Sequence, residues 1–124
     1  MTLRRLLLVA LGGTVGTAAR LALGLALPDI GSLPVAILVA NVVGALLIGV
    51  LAARIPASTD LRLLLGTGVL GGFTTYSAFM TGSVELWTDA PLLAFAYAAG
   101  SLVLGLGAAA LGLRIARSHP GATA

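Results

Sequence analysis

The chain alternates between four long apolar stretches and short polar segments. We expect each apolar stretch to form one membrane-spanning helix, because a helix needs about 20 mostly apolar residues to cross a bilayer. The predicted spans cover about residues 5–27, 34–53, 61–84 and 91–113. The polar segments are too short to fold by themselves. Residues 1–124 are therefore predicted to form a single membrane domain of the all-α class.

The first stretch also has features of a secretory signal peptide, because Arg4 and Arg5 precede the apolar run. The length of the run, and Arg20 at a place where a signal peptide is apolar or small, favour a retained span. Near the other end of the chain, residues 85–90 are predicted to form a short acidic loop and residues 114–124 a polar tail.

The third stretch differs from the others in its middle. Residues 71–76 read GGFTTY, which combines glycine, a weak helix former, with β-branched and aromatic residues. This composition predicts a break in the helix at mid-membrane. Such a break is tolerated where neighbouring protein, side chains or ions satisfy the freed backbone groups. An intact helix with a glycine-rich packing face is the alternative.

Composition supports the membrane assignment and narrows the possible chemistry. Apolar residues make up 59% of the chain and charged residues 9%, against roughly 25% charged residues in a soluble domain. The chain has no cysteine, which excludes a disulfide framework, thiol catalysis and a thiolate metal site.

The charges predict the orientation of the spans. One side of the membrane would receive six of the seven arginines and one acidic residue, Asp60. The other side would receive three acidic residues, Asp29, Glu85 and Asp89. Basic residues near span ends favour the cytoplasmic side. Both termini are therefore expected in the cytoplasm of a bacterial cell, with the spans in its inner membrane. The six arginines are Arg4, Arg5, Arg54, Arg62, Arg114 and Arg117.

Two polar side chains lie within the predicted spans at positions that need explanation. Arg20 lies roughly 22 Å along the helix from Arg5, at about 1.5 Å per residue, and therefore inside the membrane. It either extends to the headgroups or attracts an anion. Asn41 lies near the centre of the second span, where an unpaired amide is costly. It either bonds a neighbouring helix or donates to an anion.

The residue types missing from the spans are as informative. The proposed spans contain no Asp, Glu, His, Lys or Cys, so they offer no proton relay, no acidic ring for cations and no catalytic acid–base pair. The chain is therefore not expected to be an enzyme. Hydroxyls, an amide, aromatic ring edges and one arginine remain, and these groups suit a small anion.

Three stretches, in this order in a four-span chain, resemble the Fluc/CrcB family of fluoride channels. Residues 12–20 read GGTVGTAAR, residues 41–44 read NVVG with Gly49 following, and residues 68–79 read GVLGGFTTYSAF. The resemblance implies a fluoride-specific ion channel that exports fluoride passively. It also implies an antiparallel dimer with two fluoride pathways and a central sodium ion that is structural and not transported.

The resemblance assigns roles to particular residues. The backbone carbonyls of Gly71 and Thr74 from both subunits would bind the sodium ion. The family commonly has phenylalanine in place of Tyr76, and often a hydroxyl residue in place of Gly105. The pore residues it implies are Arg20 and Asn41, the ring-edge residues Tyr76 and Phe79, and a polar track of Tyr97 and Ser101.

The strong charge bias affects the expected partner. A chain with fixed orientation cannot form an antiparallel dimer with itself, so we predict a heterodimer with a homologous subunit of opposite orientation. A homodimer of dual orientation is the alternative. Two other functions remain open: a small four-helix multidrug exporter, which needs a membrane-embedded glutamate, and a non-conducting membrane scaffold.

Overall fold

The computed structural model describes residues 1–119, which form helices joined by short connections. Within these residues, four helical spans are long and apolar enough to cross a membrane, which confirms the predicted all-α class and number of spans. Three spans are single helices, and the third is built from several segments. The single helices are α1 (Leu3–Ala26), α2 (Val35–Arg54) and α6 (Pro91–Ser118).

The third span, Asp60–Asp89, changes its helical geometry along its length and is interrupted once. Thr74 and Thr75 are extended, with ψ angles of 158° and 119°. Gly71 and Gly72 are still helical, so the interruption follows the glycine pair and does not fall on it. The segments are α3 (Asp60–Arg62), a π-helix (Leu63–Leu70), α4 (Gly71–Phe73) and α5 (Tyr76–Asp89).

Threonine side chains mark where several helices begin. The hydroxyl of Thr2 accepts a hydrogen bond from the amide of Arg5 at the start of α1, and that of Thr59 accepts one from Arg62 at the start of α3. The hydroxyl of Thr75 likewise accepts from the amide of Ala78 at 3.2 Å. Because an N-cap side chain satisfies an amide that has no helical partner, Thr75 restarts the helix directly after the interruption.

Two helices extend beyond their predicted spans. α5 continues through the acidic residues 85–89, where the sequence predicts a loop, and α6 begins directly afterwards at Pro91. Charged side chains at the end of a span do not stop a helix, whereas proline ends the preceding helix and suits the first turn of the next. Residues 114–118 of the predicted tail also belong to α6, and residues 120–124 lie outside the described part.

The helices pack as two close pairs. α1 packs against the π-helix and α4, while α2 packs against α6. A Cβ atom added at Gly16 would collide with the carbonyl oxygen of Val69, and one added at Gly49 would collide with that of Ala109. Glycine is therefore required where these backbones touch, as expected when helices associate in lipid.

Charged residues group at the two ends of the bundle. At one end, Arg4 forms an ion pair with Asp60 at 2.7 Å, and Nη1 of Arg62 donates to the carbonyl of Ile55 at 2.9 Å. At the other end, the hydroxyl of Ser32 lies 3.4 Å from Asp89. The helices thus bring together, at each end, residues that the four-span prediction assigns to one side of the membrane.

Candidate functional site

The side chain of Asn41 pairs with the backbone of the interruption. Its Oδ1 accepts a hydrogen bond from the amide of Thr75 at 2.8 Å, and its Nδ2 donates to the carbonyl of the same residue at 3.0 Å. A single side chain on α2 therefore replaces both hydrogen bonds that a helical partner would supply to Thr75. One N–H of the Asn41 amide remains for another acceptor, because the amide carries two hydrogens.

Interrupting the helix also removes the donors of two carbonyl groups. In a continuous helix, the carbonyl of Gly71 would accept from the amide of Thr75, and that of Thr74 from the amide of Ala78. Both amides donate elsewhere, the first to Asn41 and the second to the Thr75 hydroxyl. The carbonyls of Gly71 and Thr74 are the two groups that the family resemblance assigns to a sodium ion.

The chemistry of these carbonyls fits a hard monovalent cation. Main-chain oxygens freed at a broken membrane helix are suitable ligands for sodium, and both residues line the same cavity. Within residues 1–119, no group of three or more His, Cys, Asp or Glu side chains could hold a metal ion.

An open cavity of about 410 Å³ lies beside the interruption. Residues of α2, the π-helix, the interruption, α5 and α6 contribute to its wall, so it forms only when the spans pack together. Four of the predicted pore residues and both predicted sodium ligands line it. These are Asn41, Tyr76, Phe79 and Ser101, with Gly71 and Thr74.

Three aromatic rings form a row from the cavity into the protein. The ring centres of Tyr76 and Phe79 are 6.2 Å apart, and those of Phe79 and Tyr97 are 5.5 Å apart. The interplanar angles are 43° and 38°, so the rings are tilted and do not stack face to face. The outer ring, Tyr76, is 75% exposed, whereas Tyr97 is 4% exposed. Phe79 therefore stands between an exposed ring and a buried one.

Two hydroxyl groups on α6 are buried without a hydrogen-bond partner. Tyr97 and Ser101 lie one turn apart, and no atom of the described residues 1–119 bonds their oxygen atoms. A buried polar group without a partner costs about 1–3 kcal/mol, and such groups in a native protein call for an explanation. Both hydroxyls are free to donate to a small ligand that enters beside Phe79.

The family follows from comparison with known proteins. The family model described as "CrcB-like protein, Camphor Resistance (CrcB)" matches residues 7–113. The chain belongs to the CrcB-like family. A relative from Novosphingobium aromaticivorans, named fluoride-specific ion channel FluC, is 47% identical over 118 residues, covering 88% of this chain and 93% of the relative.

Other members of the family carry the same kind of name. A relative from Leifsonia xyli subsp. xyli, named fluoride-specific ion channel FluC 2, is 41% identical over 90% of this chain and 83% of its own length. One from Allorhizobium ampelinum, named fluoride-specific ion channel FluC, is 43% identical over 88% of this chain and 93% of its own length. With its four apolar spans, this CrcB-like chain is a multi-pass membrane protein.

Arg20 does not line the cavity of this CrcB-like protein. It is half-buried on α1, where its Nε donates to the carbonyl of Gly72 at 3.2 Å. The guanidinium is thus held against α4, at a residue that does not line the cavity. The other feature singled out on α6, Gly105, faces open space, since no described atom lies within 4 Å of a Cβ added there.

Sequence reasoning did not identify Thr75 and Thr17 as parts of the site. Thr75 was detectable, because a threonine followed by a helical stretch is a typical N-cap. Thr17 carried no comparable signal. Its hydroxyl lies 3.4 Å from the carbonyl of Gly72, a contact that exists only because α1 crosses α4 at this point.

Proposed function

We propose that this protein is a fluoride-specific ion channel, not an enzyme, and that it exports fluoride passively to lower the cytoplasmic fluoride concentration. The observation that carries the proposal is the pair of unpartnered buried hydroxyls of Tyr97 and Ser101 beside the ring of Phe79. The names of the relatives, which specify fluoride, agree with the chemistry of that pair.

Fluoride is a small anion, so its hydration shell must be replaced by strong hydrogen-bond donors. The hydroxyls of Tyr97 and Ser101 and the second N–H of Asn41 supply such donors. The edges of the Phe79 and Tyr76 rings carry partial positive charge and attract an anion weakly. These groups lie in or beside one cavity, where they would accept fluoride in successive steps.

A passive channel is sufficient for export. Undissociated HF enters an acid-stressed cell by diffusion and ionises in the cytoplasm, so fluoride accumulates inside and flows outward down its own gradient. An alternative as a proton-coupled multidrug exporter needs a carboxylate within the spans, and the residues lining the cavity include none. The unpartnered hydroxyls argue against a scaffold that conducts nothing.

A sodium ion bound by the carbonyls of Gly71 and Thr74 would be structural and not transported. Bound there, it would supply a fixed positive charge at the interruption. Two carbonyls are too few to coordinate a cation, so the remaining oxygens must come from elsewhere. We propose that the same two residues of a second, antiparallel subunit provide them, with two fluoride pathways in the dimer. The interruption would then lie at mid-membrane.

The identity of the second subunit depends on orientation. Six arginines at one end of the bundle, against none at the other, favour a single orientation with both termini in the cytoplasm of the bacterial inner membrane. We propose a heterodimer with a homologous subunit of opposite orientation. A reporter active on one side only, fused to the C-terminus, tests this. Equal signal from both sides in cells without a partner would support a dual-orientation homodimer instead.

Fluoride sensitivity of cells tests the function itself. A bacterial strain made sensitive by removal of its own fluoride exporter is transformed with this chain, alone and together with a homologous subunit. Growth in millimolar fluoride should be restored in one of the two cases, with no change in resistance to chloride or to cationic drugs. Resistance to cationic drugs without resistance to fluoride would favour the exporter.

A further inference from the structure

The carbonyl of Gly72 lies in α4, just before the interruption, and is bonded by side chains of a different helix. In a continuous helix it would accept from the amide of Tyr76, but the chain is extended between them and Tyr76 begins α5. Arg20 Nε and Thr17 Oγ1, one turn apart on α1, lie 3.2 and 3.4 Å from this oxygen.

The approach of these two side chains depends on glycine at the crossing of α1 and α4. A Cβ atom added at Gly72 would collide with the carbonyl oxygen of Gly13, and one added at Gly16 would come within 2.8 Å of the amide of Phe73. The backbones touch here, so the side chains that follow on α1 reach the end of α4. This arrangement also gives the half-buried guanidinium a charge-assisted bond, which is stronger than a neutral one.

We propose that Arg20 and Thr17 are positioning residues that fix the peptide at Gly72 and, through it, the direction of the carbonyls of Gly71 and Thr74. Arg20 acts by the N–H at Nε and not by attracting the transported anion with its charge. This inference rests on the proposed function of the cavity. Its structural part concerns only how well ordered the backbone of residues 71–76 is.

Three substitutions at Arg20 separate the donor from the charge. Arg20→Gln places an N–H donor at the same position along the side chain as Nε and removes the charge. Arg20→Met gives a side chain as long as that of glutamine but without a donor. Arg20→Lys keeps the charge and moves the donor one atom further out. The variants are compared by amide hydrogen exchange of residues 71–76 and by fluoride efflux from vesicles, after size-exclusion chromatography of each.

The donor role predicts that Arg20→Gln retains the exchange protection and most of the flux. Arg20→Met should speed exchange in residues 71–76 about tenfold, as expected for loss of about one hydrogen bond, and lower the flux by a similar factor. Arg20→Lys should resemble Arg20→Met. If Arg20→Lys keeps the flux and Arg20→Gln loses it, the charge is what matters and the inference is overturned.

Thr17 offers a second test that leaves the charge in place. Thr17→Val should speed exchange in residues 71–76 about threefold, because it removes the longer of the two bonds. Thr14→Val is the matched control, since the hydroxyl of Thr14 bonds the carbonyl of Ala10 within α1 at 2.8 Å. Equal exchange in both variants would contradict the proposed role of Thr17. If the variants change exchange as predicted but the wild-type protein conducts no fluoride, the positioning role stands and only the proposed function is refuted.

Discussion

The interruption at Thr74 and Thr75 and the Tyr97–Ser101 turn of α6 both border the cavity, yet their polar groups differ in whether they have hydrogen-bond partners. At the interruption, side chains from other helices bond backbone groups that lack helical partners. On α6, two side-chain hydroxyls are buried with no bond to residues 1–119. The fold therefore satisfies the backbone of the interruption but leaves these two hydroxyls without a partner in residues 1–119, and the proposed channel assigns them to fluoride.

The largest expected effect comes from separating α1 from the interruption. Gly72→Ala would place a methyl group against the carbonyl of Gly13, and overpacking of this kind costs about 3 kcal/mol or more against rigid backbone. We expect little folded protein and no fluoride flux. Gly71→Ala is the control, because its Cβ would meet only the Gly66 carbonyl, at 3.8 Å. Similar melting temperatures for the two variants would refute the close contact.

Next in size is removal of the amide that bonds the interruption. Asn41→Leu keeps the shape of the side chain but leaves the amide and the carbonyl of Thr75 without partners, which costs on the order of 2–4 kcal/mol. Stability and flux should both fall. Val43→Leu, at an exposed position on the same helix, is the control. If Asn41→Leu melts at the wild-type temperature, Asn41 does not hold the interruption.

Several residues that line the cavity could be named from the sequence, and their roles in conduction stay predictions. Ser101 could be singled out because a polar residue within an apolar span needs a reason to be there. Tyr76 and Phe79 were named from the family resemblance. The resemblance gave their roles. Helix number and class followed from span length and hydropathy alone.

The features that the sequence could not reveal share a cause, which is dependence on contacts between helices distant in sequence. The π-helix at Leu63–Leu70 depends on how α1 and α2 pack against the third span, whereas the interruption at Thr74 and Thr75 lies within the stretch where a break was predicted. Asn41 was left with two alternatives, and its bonds to Thr75 agree with the bonding alternative while one N–H remains for the other. The pore role that the resemblance assigns to Arg20 stays a prediction, and no periodicity could reveal the bond from Arg20 to Gly72.

A third change acts on ligand binding with little effect on the fold. Phe79→Ile keeps an apolar side chain but removes the ring edge that attracts an anion. We expect fluoride flux to fall about tenfold or more, equivalent to about 1.4 kcal/mol in the barrier. Phe95→Ile on the exposed face of α6, where Phe95 is 70% exposed, should conduct normally. Near-normal flux in Phe79→Ile would leave the ring with a packing role.

The smallest structural change gives the clearest contrast with the interruption. Ser101→Ala removes a buried hydroxyl that has no partner, so stability should stay the same or rise by up to about 1 kcal/mol. Flux should nevertheless fall severalfold. Ser83→Ala, which removes a hydroxyl bonded to the carbonyl of Phe79 at 2.8 Å, is the control for a partnered serine. A loss of stability in Ser101→Ala without loss of flux would reverse the interpretation of α6.

Fluoride and chloride efflux from the same vesicles is the most direct test of the central claim. The assembled complex, purified from cells together with any partner subunit, is reconstituted into vesicles loaded with both anions, and each is followed with an ion-selective electrode. Donor groups suited to a small anion predict rapid fluoride release while chloride is retained. Release of both anions at equal rates, or no fluoride release from an intact complex, would contradict the proposal of a fluoride-specific channel.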